Sequence, residues 1–331
     1  MVAFPEPELL TLDRGGRRID MEVFEQGEGL PVVFCHGFPE LAFSWRHQLS
    51  AVADAGYRAI APNQRGYGRT SAPEEISAYA LGELAGDMAA LLDTLDIERA
   101  VFVGHDWGGY VAWAMPIMHP DRTLGVVGVC TPYQPFPTTQ LLRTLVGGDD
   151  QKLYILWFQE PGVAEGVMDQ QVSLLFDRVM RGGLSPDQMV REMAASGEVD
   201  MNPFGRLASL APAGELIADP DELAVYVDTF ETTGFRGGIN WYRNIDRNVQ
   251  QHPEVGTAPL SLPCLMITAE WDPALRPAMA EGMDERCSDL ETHMIAKAGH
   301  WVQQEYPEEL NEVLLDWLTR RFPAEGSAGK T

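Results

Sequence analysis

The chain has 331 residues, 45% of them apolar and 22% charged, which is enough for a large hydrophobic core in one domain with an insertion. A formal charge of −25 argues against nucleic acid or anionic membrane as partner. No apolar run approaches the ~20 residues of a membrane span. In chain order, Met1 to Arg18 holds proline and acidic residues and no segment fit for a signal peptide. Arg17 to Phe24 then alternates like an antiparallel strand after the Gly15-Gly16 turn. Pro31 to Cys35, Arg58 to Ala61, Ala100 to Val103 and Leu124 to Cys130 are short continuous apolar runs, as strands buried on both faces of a parallel sheet require. Between them Leu81 to Leu95 carries Leu84, Met88, Leu91, Leu92 and Leu95 on one helical stripe, so the pattern is α/β.

The alternation stops after Thr131-Pro132. From Tyr133 to Gly256 the chain reads as helix and loop; strands return at Pro263 to Thr268 and Glu291 to Ile295, and a helix at Pro307 to Leu318. This predicts a core of residues 1–132 and 257–331 with a helical lid, 133–256, inserted in it. Four scattered cysteines, Cys35, Cys130, Cys264 and Cys287, form no C-x-x-C pair. Free buried thiols in a cytoplasmic protein are the expectation. The tail Gly326 to Thr331 ends like a phosphate loop with the wrong spacing, and reads as a frayed terminus.

Within this frame Gly104-His105-Asp106-Trp107-Gly108-Gly109 lies between an apolar strand and a helical run, as a nucleophile elbow does. Its central residue is aspartate, and no G-x-S-x-G occurs in the chain. A carboxylate at a helix N-terminus faces backbone N–H groups that favour an anion. It can attack a saturated carbon and become an ester, which predicts alkyl transfer. Asp272 follows the strand ending at Thr268, and His300 follows the strand ending at Ile295. Both are thereby at carboxyl ends of strands, where open α/β sheets place their sites. The order Asp106, Asp272, His300 is that of the α/β-hydrolase triad. His36-Gly37-Phe38-Pro39 follows another strand; in this fold that loop and the residue after the nucleophile supply oxyanion N–H groups, here Phe38 and Trp107. Pro39 is a candidate for a cis bond. His36 and His105 read as scaffold groups, and His47, His119, His252 and His293 as surface or loop residues.

Which bond breaks depends on the leaving group. A halide departs without a proton, whereas an epoxide oxygen departs as an alkoxide nearly as basic as hydroxide. Epoxide opening therefore needs a general acid, and phenols with a pKa of about 10 suit it. The lid offers Tyr133, Tyr154, Tyr226 and Tyr242, among which spacing does not choose.

The elbow, the His36 to Pro39 loop, Trp157 to Glu165, Gly234 to Asn244, Thr268 to Asp272 and Gly299 to Trp301 together resemble the soluble epoxide hydrolases over essentially the whole chain. The resemblance implies an α/β-hydrolase fold and hydrolysis of an epoxide to a vicinal diol through an ester on Asp106. It implies Tyr154 and Tyr242 as the acids, since one family tyrosine lies five residues before the glutamine of F-Q-E-P-G and the other stands in N-W-Y-R-N. It implies no cofactor and no metal. Trp157 stands where the family often has tyrosine, a change expected to alter pocket shape alone. Mammalian members carry an additional phosphatase domain for which this chain has no room, so that activity is not carried over. Phe38, Pro39, Trp107, Ile155 and Trp301 are the expected walls of an apolar pocket for an aliphatic or aryl epoxide. The rival readings are a haloalkane or haloacid dehalogenase of the same fold, with Trp107, Trp157 or Trp241 holding halide, and a non-catalytic ligand-binding homologue. Oligomeric state is left open, and detoxification, epoxide catabolism and turnover of a lipid signal are all compatible.

Overall fold

The computed structural model describes residues 4–196 and 201–324. Among them eight strands form one sheet: β1 (Glu8–Asp13), β2 (Arg18–Gln26), β3 (Leu30–Cys35), β4 (Tyr57–Pro62), β5 (Ala100–His105), β6 (Thr123–Val129), β7 (Cys264–Ala269) and β8 (Leu290–Ile295). Their order is β1-β2-β4-β3-β5-β6-β7-β8. The β1–β2 and β2–β4 pairs are antiparallel, and all pairs from β4 to β8 are parallel. The sequence pattern anticipates every strand but β1. That edge strand leaves most of its side chains in water, so it carries no apolar run to read.

Strand residues alternate between two cores, as a two-residue repeat requires. Val33, Cys35, Ile60, Phe102, Val126 and Met266 face one core. It is closed by α2 (Leu81–Thr94) and α3 (Trp107–Met118), through Leu84, Met88, Val111 and Met115. Phe34, Ala61, Val101, Val103, Val127 and Ile267 face the other, against Leu49 and Val52 of α1 (Arg46–Asp54) and residues of the C-terminal helix. All four cysteines are buried and free.

Between β6 and β7 the chain runs through α4 (Thr139–Leu145), α5 (Tyr154–Trp157), α6 (Val163–Met168), α7 (Val172–Val179), α8 (Pro186–Ser196), α9 (Pro220–Thr233), α10 (Arg236–Tyr242) and α11 (Ile245–Gln251). After β8 come α12 (Val302–Glu305) and α13 (Pro307–Arg321), the latter burying Leu310, Leu314 and Trp317. No described helix is long and apolar enough to cross a membrane. The expectation for Gly326 to Thr331 lies outside the described residues.

Candidate active site

The turn from β5 to α3 is one residue long, and Asp106 occupies it with φ 50° and ψ −122°. For a residue with a side chain this costs on the order of 1–3 kcal/mol, which surrounding contacts must offset. They do so by close approach: a Cβ on Gly108 would collide with the carbonyl of Cys35 and lie 2.6 Å from that of His36, so only glycine fits. Thr131 Oγ1 donates to the Asp106 carbonyl at 2.8 Å.

The Phe38 N–H donates to Asp106 Oδ1 at 2.9 Å, and the Trp107 N–H also bonds this carboxylate. These are the two donors that the sequence singles out. The Phe38-Pro39 bond is cis. Burial raises the Asp106 pKa, while the charges of His300 and His105 and the two N–H donors oppose that rise.

His300 Nε2 lies 3.8 Å from Asp106 Oδ2, and its Nδ1 lies 2.9 Å from Asp272 Oδ2. The Asp272 Oδ1 accepts N–H bonds from Ala274 and Leu275 at 2.8 and 2.9 Å. Burial alone would raise the Asp272 carboxyl, but the His300 charge and hydrogen bond, with those two N–H groups, bring it down to about 2. Burial would lower His300; the charge and hydrogen bond of Asp272, then the charges of Asp106 and Glu40, raise it to about 9.

Behind the histidine lies a buried polar chain in which His105 has the scaffold role expected of it, while its other members are not marked by the sequence. His105 Nε2 is 2.7 Å from the His300 carbonyl, which only an N–H can satisfy, and His105 Nδ1 is 2.7 Å from Glu40 Oε2. Glu40 Oε1 accepts from Gln303 at 2.7 Å and from Gln304 at 3.3 Å. Gln304 Oε1 in turn accepts from Arg46 at 2.6 Å, and Arg46 pairs with Glu222 of α9 at 2.8 Å. A glutamate placed directly after an otherwise apolar loop was the available signal. His36 has the scaffold role anticipated for it, accepting the Gln64 N–H at 3.0 Å.

Of the four candidate tyrosines, two have hydroxyls engaged elsewhere. Tyr133 donates to the Ala258 carbonyl at 2.8 Å, and Tyr226 bonds Ser44 at 2.8 Å and Gln304 at 3.1 Å. Tyr154 and Tyr242 instead meet each other, with ring centroids 5.6 Å apart and interacting hydroxyls. The Tyr242 ring packs 5.3 Å from Phe38 and 5.1 Å from Trp107, the residues whose N–H groups hold Asp106. Burial and the Asp106 charge push both phenols up; the neighbouring phenol adds to the rise at Tyr242 and opposes it at Tyr154, and both remain protonated at neutral pH.

Two segments distant in sequence bring these tyrosines together. Gln159 Nε2 donates to the carbonyls of Ile155 (2.8 Å) and Tyr242 (3.1 Å). Arg243 donates to the Phe158 carbonyl at 2.8 Å and pairs with Glu165 at 2.6 Å. Trp241 Nε1 donates across to the Arg65 carbonyl at 3.1 Å, anchoring α10 to the sheet domain.

Phe38, Pro39 and Trp107 are buried around Asp106. Trp301 backs the histidine, its ring 4.7 Å from His300 and its Nε1 donating to the Val179 carbonyl at 2.8 Å. Ile155 is partly buried and packs on Leu142, Val146, Leu153 and Leu156 as well as on the main core. Unforeseen neighbours are Phe158 and Phe204, each in ring contact with Phe38 and Tyr154, and Phe136, stacked 4.1 Å from Tyr110. Trp157 is buried beside Phe158.

Residues 31–307 match the family model of the alpha/beta hydrolase fold. The chain is 42% identical to Epoxide hydrolase A of Mycobacterium tuberculosis, over 95% of this chain and 98% of that protein. It is 36% identical to Bifunctional epoxide hydrolase 2 of Sus scrofa over 91% of this chain, spanning 53% of the longer protein. Its fold superposes on the crystal structure of Epoxide Hydrolase A from Mycobacterium thermoresistibile with TM-score 0.84 and 39% identity, covering 94% of this chain and 98% of the other.

Proposed function

The chain belongs to the epoxide hydrolases of the α/β-hydrolase fold, and from that premise we propose how its own residues convert an epoxide and water to a vicinal diol. Tyr154 and Tyr242 donate hydrogen bonds to the epoxide oxygen, while an Asp106 carboxylate oxygen attacks one ring carbon from the opposite side. The C–O bond breaks, the alkoxide takes a phenol proton, and a hydroxyalkyl ester of Asp106 results. His300, oriented by Asp272, then takes a proton from water as that water attacks the ester carbonyl carbon. The Phe38 and Trp107 N–H groups hold the tetrahedral oxyanion; on its collapse the leaving alkoxide takes the proton from His300, and the new carboxyl group returns its proton to the phenolate through water, so that diol is released and carboxylate, imidazole and phenol are restored.

The observation that carries this reading is the pairing of the Asp106 carboxylate, bonded by the Phe38 N–H at 2.9 Å and facing His300 Nε2 at 3.8 Å, with two protonated phenols packed over the same loop. Esterification also adjusts the base. It removes the Asp106 charge that helps raise His300, so the imidazole becomes easier to hold neutral when water must be activated.

Residues 133–256 act as a lid in this scheme, contributing both acids. The aromatic surroundings Phe38, Trp107, Phe158 and Phe204 suit an aliphatic or aryl epoxide without charge. The cytoplasm is the proposed location, on the four free thiols. The test offers purified protein aryl and alkyl epoxides beside chloro- and bromoalkanes, with diol and halide measured separately. Diol without halide is expected. Halide without diol would make the phenols packing groups and the enzyme a dehalogenase.

A further inference from the structure

The turn that carries His300 is held from outside the triad by one carboxylate. Glu305, the last residue of α12, accepts three backbone N–H bonds: Oε2 from Gly299 at 2.9 Å and from Gly183 at 2.9 Å, and Oε1 from Trp301 at 3.0 Å. Gly299 and Trp301 are the residues on either side of His300. Gly183 belongs to the segment between β6 and β7, in the loop after α7. There the two backbones touch so closely that a Cβ on Gly183 would lie 2.6 Å from Gly299 Cα and 2.8 Å from its N. Trp301 Nε1, bonded to the Val179 carbonyl at 2.8 Å, makes a second tie to the same stretch.

We infer that Glu305 is a positioning residue for His300, one that locks the histidine turn to the Gly182-Gly183 loop and so links the base to the segment that carries the two phenols. This rests on His300 being the base, as proposed above. Physically, both flanking peptide N–H groups point into one carboxylate, which fixes the plane and height of the His300 backbone. The His300 carbonyl is held from the other side by His105. A base that activates water for attack on a fixed ester tolerates little displacement, since about 1 Å of misplacement can cost on the order of a hundredfold in rate. Alkylation of Asp106 needs no proton transfer by His300, so the two chemical steps respond differently to this contact.

The test is single-turnover kinetics on E305Q and E305D, with alkylation and hydrolysis resolved as separate phases and the covalent adduct weighed by mass spectrometry. Glutamine keeps the length but turns an NH2 toward an N–H; aspartate keeps the charge but is one methylene too short to reach all three donors. For both we expect alkylation within about twofold of the parent and hydrolysis slowed on the order of ten- to a hundredfold, with adduct accumulating. Unchanged hydrolysis in both variants would overturn the proposal, and so would an equal loss in both phases accompanied by a lowered Tm, which marks a purely structural role. H300A runs alongside. If that variant forms no adduct, the assignment of His300 fails on its own account, whatever Glu305 does.

Discussion

At the scale of single residues the site consists of coupled charges whose pH behaviour can be worked out. His300 has a folded pKa of about 9, above the ordinary imidazole value of 6.5. The stabilisation it brings is therefore complete below 6.5 and is lost as pH rises through about 9. Asp272 is depressed from 3.8 to about 2, so its contribution is complete above 3.8 and disappears as pH falls through about 2. We expect Tm to decline between pH 6.5 and 9 in the parent and less steeply in H300A; parallel curves would contradict the coupling. The hydrolysis phase should lose rate on the acid side with an apparent pKa below the resting value of about 9, because the ester has removed the Asp106 charge. H300A should also form the ester and fail to turn it over, whereas D106A should form none. Tyr154→Phe or Tyr242→Phe alone leaves one phenol to protonate the alkoxide, so each should slow alkylation moderately. The double variant should lose about 10²–10⁴-fold, the usual worth of a positioned acid. A double variant near the parent rate would remove both from the mechanism.

At the scale of elements, the short parallel strands were legible because burial on both faces demands unbroken apolar runs. The elbow was legible because only glycine allows the approach of α3 to the β3 loop. The choice among the tyrosines between β6 and β7 is not legible locally: it depends on which hydroxyls find partners across the fold, as Tyr133 does at Ala258 and Tyr226 at Ser44 and Gln304. Resemblance points to Tyr154 and Tyr242, and the ties from Gln159 and Arg243 between their two segments explain why these two side chains meet. Arg243 binds both Glu165 and the Phe158 carbonyl from positions 4% exposed on the arginine side and 13% on the glutamate side. Arg243→Ala should cost about 1–3 kcal/mol by stripping a partly buried carboxylate of its cation and leaving it the Gly162 N–H. It should also slow epoxide opening more than ester hydrolysis, because the acids lose their mutual registration while His300 does not. Equal slowing of both phases would count against that separation.

At the scale of the whole molecule, strand ends bring together residues from five distant stretches: the β3 loop, the β5 elbow, the β6–β7 helices, the β7 turn and the β8 turn. The sheet and the residues at its carboxyl edge could be read from sequence because each is set by its own neighbours. What escaped reading was set by tertiary approach. The edge strand β1 has few buried side chains, Phe204 reaches Tyr154 and Phe38 from a separate 3-10 helix (Pro203–Ser209), and the chain from Glu40 through Gln304 and Arg46 to Glu222 joins residues more than a hundred positions apart. The proposed mechanism takes one diol oxygen from the epoxide and the other from Asp106, and puts the water oxygen into the Asp106 carboxylate. One turnover in water enriched in oxygen-18, followed by mass analysis of the diol and of the peptide containing Asp106, tests it most directly. Unlabelled diol and labelled Asp106 are expected. Labelled diol with unlabelled Asp106 would mean direct attack by water, and would contradict it.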